Sequence, residues 1–366
     1  LRAIAILAVM TFHLQSMLPT IFRPSALFGW TGVDLFFVLS GFLIGGQIFR
    51  AQGSGRPLLW PFYRRRAFRI LPTYLVVLAL YFTLPAIREF GPLAPLWQYL
   101  TFTENLLYDA SWNHTFSHVW SLCIEEQFYL LFPLIVLALT HRPSAGKSIW
   151  VIAGFVAAGI AVRTWVLVHQ LQPLGIDGSG ELYMEHIYYP TYSRLDGLLA
   201  GVTLALTQTY RPAVWSALTR RPYLALTLGL TFVGIAFWLF YGRFLAVTGP
   251  AAWGTILGFP LVSWGYAFIL VASVSPQSIL ARSLPGARTL ATLAFTLYLT
   301  HKAVAHLDQH FVPQLIAARG LASMLLLAVT CLAVAALLHF CVERPFLRLS
   351  QKRLNWPYFP SNPSAQ

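Results

Sequence analysis

The sequence is short of charge. Asp, Glu, Lys and Arg make up 10% of its 366 residues, against about 25% in an ordinary soluble domain. With 57% hydrophobic residues and a mean hydropathy of +0.64, that shortage excludes the two or three soluble domains its length would otherwise suggest. Cysteine is scarce as well. The three present, Cys123, Cys331 and Cys341, are too few and odd in number for a disulfide scaffold. No two are spaced Cys-x-x-Cys, which excludes a zinc ribbon and a thioredoxin-type site. Acids are fewer than bases, 12 against 25, leaving a net charge of +13. On a water-soluble fold such an excess would suggest nucleic acid. Here the basic residues lie between apolar runs, which is a membrane-topology pattern, and no nucleic-acid partner is expected. There is no Gly-x-Ser-x-Gly elbow and no phosphate loop of the Gly-x-x-x-x-Gly-Lys type.

What the sequence has is long apolar runs. Crossing a bilayer as a helix takes about 20 residues, and ten stretches qualify: 1–18, 30–49, 70–87, 120–140, 149–169, 190–208, 223–241, 252–274, 290–311 and 320–341. The expected fold is an all-α membrane protein, a bundle of about ten transmembrane helices. Lysine and arginine concentrate in 50–69, 141–148, 209–222, 275–289 and the tail, seventeen in all. The alternate connections hold four, Arg23, Arg88, Arg243 and Arg319. Cytoplasmic loops carry the excess, so both termini are expected in the cytoplasm of a multi-pass protein of a bacterial cytoplasmic membrane. Acids gather on the other side, at Glu89, Glu104, Asp109, Asp177, Glu181 and Glu185. Residues 57–69 mix aromatics with arginines and suit a short helix lying at the inner interface. Residues 88–119 are expected to dip into the membrane around Leu96–Leu107 or to cap an outer mouth. The expected division is a transmembrane domain over 1–346 and a Pro-rich, disordered cytoplasmic tail over 347–366. The chain opens on Leu1, as a trimmed or processed sequence would, and no signal peptide is expected before it.

Ionisable residues inside spans are costly and mark functional cavities. Arg2 and His13 are eleven residues apart, which places them on one helix face about 16 Å apart along the axis. Taken alone, each also has a plain reading: a positive-inside anchor for Arg2, a histidine satisfied by a neighbouring carbonyl for His13. Asp34 stands near the outer end of the second run, within reach of water. Ser40 and Gly41, at mid-membrane, suit close helix packing. Glu125 and Glu126 are adjacent and point about 100° apart, so at least one faces the interior; one interfacial glutamate and one structural ion pair would also explain them. Arg194 and Asp196 read as an outer-surface pair. Tyr298, His301 and Lys302 fall in the ninth run. His114/His118 and His306/His310 stand four apart, but a metal site needs a third ligand and no His-Glu-x-x-His occurs, so no metal is expected.

Together these residues resemble the acyltransferase-3 family of polytopic membrane O-acyltransferases. Arg2 and His13 reproduce its Arg-x10-His motif. Gly32 to Phe42 is similar to its Gly-x-x-x-Phe-Phe-x-x-Ser-Gly-Phe signature. Arg66-Ala67-Phe68-Arg69 before Ile70-Leu71-Pro72, Trp120-Ser121-Leu122 with Glu125 and Phe128-Tyr129-Leu130, Tyr298-Leu299-x-His301 and Glu343-Arg344-Pro345-Phe346 resemble the remaining motifs, in order. The family usually has Asp-Gly before the Leu-Arg at which this chain begins, and some members carry an extracellular hydrolase-like domain. The chain is expected to start a few residues late and to be a stand-alone member.

The resemblance implies transfer of an acyl group, acetyl in many members, from cytosolic acyl-CoA to a hydroxyl of an extracytoplasmic glycan or of a small molecule. No bound cofactor is implied, and acyl-CoA is the donor substrate. Arg2, Arg66 and Arg69 would bind acyl-CoA, since arginine takes phosphate through a planar fork. His13 would be the base that deprotonates the hydroxyl, with Glu125 orienting its ring. Ser40, Trp120, Tyr298 and His301 would support the cavity. The competing reading is a polytopic transporter using the intramembrane His, Arg and Glu as a substrate or proton relay, although the repeated halves common in transporters are not evident. A lipid-linked glycosyltransferase would be expected to carry a clustered Asp-x-Asp, which is missing.

Overall fold

Lipid offers no partner to a backbone N–H or C=O, so an apolar run must satisfy its own hydrogen bonds as a helix. The computed structural model describes residues 1–53, 59–109, 115–139, 145–175, 179–240, 252–282 and 284–353, and among them there are helices and no strand. The principal helices are α1 (Arg2–His13), α2 (Gly32–Gly53), α3 (Leu59–Thr83), α4 (Trp120–Leu139), α5 (Ala145–Val166), α6 (Asp196–Tyr210), α7 (Pro212–Thr219), α8 (Pro222–Phe240), α9 (Phe259–Val274), α10 (Ala287–Phe311), α11 (Leu321–Leu338) and α12 (Arg344–Arg353).

Seven helical segments among the described residues are long and apolar enough to cross a membrane. They are Gly29–Gly53, Leu59–Thr83, Ser117–Ala138, Lys147–Leu174, Pro222–Phe240, Gly254–Val274 and Leu321–Ser350. The chain is an all-α membrane protein. The other three expected spans are also helical but differ in kind. α1 has 12 residues and α6 has 15, while α10 has 25 but is diluted by Arg288, Lys302, Asp308 and its histidines.

Two expectations give way. Residues 59–69 are not a separate interfacial helix but the first half of α3, which runs unbroken for 25 residues. Pro72 removes one backbone donor without breaking the helix, as membrane helices tolerate. Residues 347–353, expected to open a disordered tail, continue the helix α12. Leu347 and Ser350 turn inward against the bundle, and that packing stabilises a segment whose composition alone would not. The rest of the tail, 354–366, lies outside the described residues, as do Arg56, His114, Arg142, Asp177 and Arg243.

Small residues set the centre. α2 and α6 pack backbone to backbone, since a Cβ on Gly41 would stand 2.0 Å from the Leu198 carbonyl oxygen and one on Gly201 2.2 Å from that of Val38. α1 lies equally close to the start of α2, with Gly32 against the Ala5 carbonyl. Such approaches let van der Waals contact hold helices together where lipid gives no hydrophobic drive. α10 packs against α1 and α11, so α1, α2, α4 and α10 surround one interior.

The tight α2–α6 seam also changes the fate of three charges expected near water. Asp34 is 1% exposed and accepts from Arg194, Nη2 to Oδ1, at 2.9 Å. Asp196 pairs instead with Arg163 at 2.7 Å, both buried. Arg194 and Asp196 are therefore not an outer-surface pair: each reaches across to another helix. Arg194 lies over the faces of Phe259, at 4.0 Å, and Tyr188, at 4.5 Å.

Candidate active site

Four helices present one face each to a cavity of about 390 Å³. On α3, Arg65, Arg66 and Arg69 recur at one and then three positions, so they share a face. On α4, Ser121, Glu125 and Tyr129 recur every fourth residue. Ser40 and Gln47 are two turns apart on α2, and Phe295 and Tyr298 come from α10. Arg2 from α1 and Ser350 from α12 complete the wall. Four guanidinium groups thus meet one carboxylate, that of Glu125. The described residues form three ion pairs, Arg163–Asp196, Arg194–Asp34 and His339–Glu343, none of which takes Arg2, Arg66 or Arg69. The Arg66 guanidinium lies 4.0 Å above the Tyr129 ring. A concentration of planar, forked donors in a low-dielectric site is suited to phosphate.

Glu125 does not reach His13. Ser40 donates to its Oε1 and the Tyr129 hydroxyl to its Oε2, both at 2.8 Å. The expected acid–histidine contact is not made, because the α4 face that carries Glu125 looks toward the arginines. The carboxylate holds Tyr129, and Tyr129 carries Arg66 on its ring. Glu126 has a buried oxygen, Oε1, with no hydrogen-bond partner.

His13 lines a second, smaller cavity of about 170 Å³, with Phe12, Trp30, Ser117, His118, Trp120, Tyr188, Tyr189, Tyr298 and Lys302 among its walls. Its partner is His301, 288 positions away in the chain, with His13 Nδ1 2.8 Å from His301 Nε2. The tautomers follow from the network. His301 Nδ1 lies 2.9 Å from the carbonyls of both Leu297 and Tyr298, which can only accept, so that nitrogen carries the proton. Nε2 of the neutral ring is then an acceptor, His13 Nδ1 is the donor, and the lone pair of His13 sits on Nε2. A backbone–His301–His13 chain therefore fixes the ring and its protonated side, the office that a carboxylate fills in other catalytic histidines. His118 stands nearby, its ring 5.3 Å from that of His301 and 6.2 Å from that of His13. Its Nδ1 is buried and without a partner.

Tyr298 lines both cavities. It donates to the His118 carbonyl, and the Ser121 hydroxyl is 2.6 Å from its oxygen, so the ring is held from two sides.

The structure thus sorts the expected residues into two places. Arg2, Arg66, Arg69, Ser40 and Glu125 share the arginine cavity; His13 and Trp120 share the histidine cavity; Tyr298 stands between, and His301 supports His13 from behind. The acids Glu181 and Glu185 of the 170–189 connection do not line either cavity, but Met184, Tyr188 and Tyr189 beside them do. Ser117 and His118, from the 88–119 connection, reach the cavity, while Glu104 of that connection is fully buried. Gln47, Ser350 and Lys302 are cavity residues to which the sequence assigns no role, while Arg65 was read only as part of the arginine concentration and Tyr129 only as part of a motif. The spacing of Tyr129 from Glu125 is a signal that would have placed Tyr129 on the same face as the carboxylate.

The family profile described as an acyltransferase domain, acyltransferase family 3, matches residues 1–340. The O-acetyltransferase OatA of Staphylococcus aureus strain NCTC 8325 / PS 47 is 27% identical over 321 residues, covering 82% of this chain and 49% of that protein. A second protein, of S. aureus strain COL, whose name gives an O-acetyltransferase activity provisionally, is 27% identical over 376 aligned positions, 97% of this chain and 58% of its own length. The chain spans about half the length of these curated relatives. No solved structure matches it significantly. On a match that takes in 340 residues from the first onward, the chain belongs to the acyltransferase-3 family.

Proposed function

We propose that this chain is an O-acyltransferase of a bacterial cytoplasmic membrane. It takes an acyl group, acetyl by the naming of its relatives, from cytosolic acyl-CoA and gives it to a hydroxyl of a carbohydrate or small molecule arriving from the opposite side. The observation that carries this reading is a single bundle holding two cavities of different chemistry, one rich in arginine and one holding an oriented imidazole, with Tyr298 in the wall of both. The distribution of lysine and arginine supports ten spans with both termini in the cytoplasm, and so an arginine cavity that opens toward the cytosol.

In this scheme Arg2, Arg65, Arg66 and Arg69 hold the phosphates of acyl-CoA, and the pantetheine arm passes Tyr298 to bring the thioester beside His13. The lone pair on His13 Nε2 takes the proton of the acceptor hydroxyl as its oxygen attacks the thioester carbonyl. The tetrahedral intermediate collapses by breaking the C–S bond. The thiolate leaves with the proton from His13, giving an ester and free CoA. His301 keeps His13 in the reactive tautomer, and Glu125 acts at a distance from this chemistry, by fixing Tyr129 and through it Arg66.

Purified protein given acetyl-CoA is expected to release CoA thiol, and His13→Ala to lower the turnover number about 10²–10⁴-fold, the usual worth of a general base. Undiminished turnover in that variant, or substrate transport without CoA release in the wild type, would sink the proposal. Mass spectrometry of envelope glycans and small metabolites from wild-type and deletion strains then identifies the acceptor as the ester that is lost.

A further inference from the structure

His13 and its support leave one requirement of acyl transfer unmet, namely stabilisation of the negative oxygen that forms when a hydroxyl adds to a thioester. Inside an apolar bundle that charge needs fixed donors or a cation close by. Among the described residues that line the histidine cavity, Lys302 is the one lysine or arginine. It follows His301 on α10, so the turn that orders the base also places the ammonium in the base's cavity.

Lys302 makes no ion pair among the described residues. Its Nζ has a long contact, 3.5 Å, to the Ser117 hydroxyl and lies 5.7 Å from the centre of the Phe90 ring. An ammonium carries three donors, and one long bond leaves two to spend. A half-buried lysine with so little to hold is costly in this environment, and the carboxylates that favour its charge, Glu89 and Glu104, do so without closing an ion pair with it among the described residues. His13 and Lys302 line the same cavity of about 170 Å³, so an acyl group that enters it meets the base and the lysine together.

The geometry points to Lys302 as a further catalytic residue, its ammonium meeting the oxyanion of the tetrahedral intermediate. The inference rests on the acyl-transfer reading above. The hydroxyl oxygen adds to the carbonyl carbon, the carbonyl π pair moves to oxygen, and Lys302 donates a hydrogen bond to that oxygen without giving up its proton. When the C–S bond breaks the pair returns to the carbonyl, and Lys302 is unchanged.

The test compares two non-hydrolysable CoA thioether ketones. Acetonyl-CoA mimics the planar thioester. Trifluoroacetonyl-CoA adds water at its ketone and presents a tetrahedral centre with an acidic hydroxyl. The wild type is expected to bind the trifluoro compound at least tenfold more tightly, and Lys302→Met to lose that preference while still binding acetonyl-CoA. Lys302→Arg, which keeps the charge, is expected to retain part of it. With acetyl-CoA and water as acceptor, Lys302→Met is expected to lower the turnover number on the order of 100-fold at unchanged KM, the scale of losing one oxyanion donor. If Lys302→Met does not hold acetonyl-CoA, Lys302→Gln, which keeps polarity without charge, takes its place. An unchanged ratio of the two affinities in the charge-free variant overturns the assignment, as does a wild type without the preference. A lysine that only anchors an anionic acceptor would give the first of these results. A wild type that binds neither ketone and cleaves no acetyl-CoA would instead overturn the acyl-transfer reading itself.

Discussion

Arg163 and Arg194 lie wholly inside the bundle, at 0% and 1% exposure, and each rests on a carboxylate, that of Asp196 and Asp34 respectively. Arg2, Arg66 and Arg69 are only half-buried, face a cavity and enter no ion pair among the described residues. A charge sealed among helices must bring its counter-charge with it, because the desolvation of an unpaired ion is prohibitive. A charge at a cavity wall can keep its valence for something mobile. One set of arginines thus holds the bundle together, and the other set is available for a ligand.

The largest way to break that contrast is Arg194→Met. It strands Asp34 without its partner in a dry seam, and removing one member of a buried pair costs about 3–5 kcal/mol. A markedly lower melting midpoint in detergent is expected, with most of the loss recovered in Arg194→Met combined with Asp34→Leu. A single variant that melts with the wild type would show that this pair is no more structural than its cavity-facing counterparts. Arg66→Gln and Arg69→Gln are expected to behave in the opposite way. Each should raise KM for acyl-CoA about 10- to 100-fold, from the loss of one charged hydrogen bond worth about 1.5–3 kcal/mol, at an unchanged midpoint. Glu125→Gln gives the smallest effect, a rise in KM within about tenfold, since the amide still accepts one of the two hydroxyls. A collapse of turnover at constant KM would return Glu125 to the chemistry itself.

Local periodicity was enough to read part of this site. Arg2 and His13 share one face of α1, and Arg66 and Arg69 one face of α3, because a helix repeats within a few residues whatever surrounds it. Order along the chain, through the resemblance, assigned the same residues a use. What periodicity does not carry is partnership. His13 meets His301 across 288 positions and Arg194 meets Asp34 across 160, and nothing in either local stretch selects the other. Glu125 illustrates the cost. Its depth along α4 allowed a contact with His13, but its rotation about the helix axis, fixed by Ser40 and Tyr129, turned it to the arginines. Asp34, expected near water, is dry because Gly197 lets α6 close on its backbone and Arg194 takes its carboxylate. Lys302 was legible as an ionisable residue within a span, but no role followed from that, because the cavity that gives it a direction is built from distant helices.

The ring of Tyr298, shared by both chambers and tied to Ser121 and to the His118 backbone, bears on the insulation of the cell. A catalyst fed from two aqueous compartments is at risk of becoming a leak, and a continuous wet path would dissipate the proton gradient. On the function proposed above, a phenol held in the wall of both cavities would narrow that path when no acyl arm is present, and an arm passing the ring would itself fill the gap.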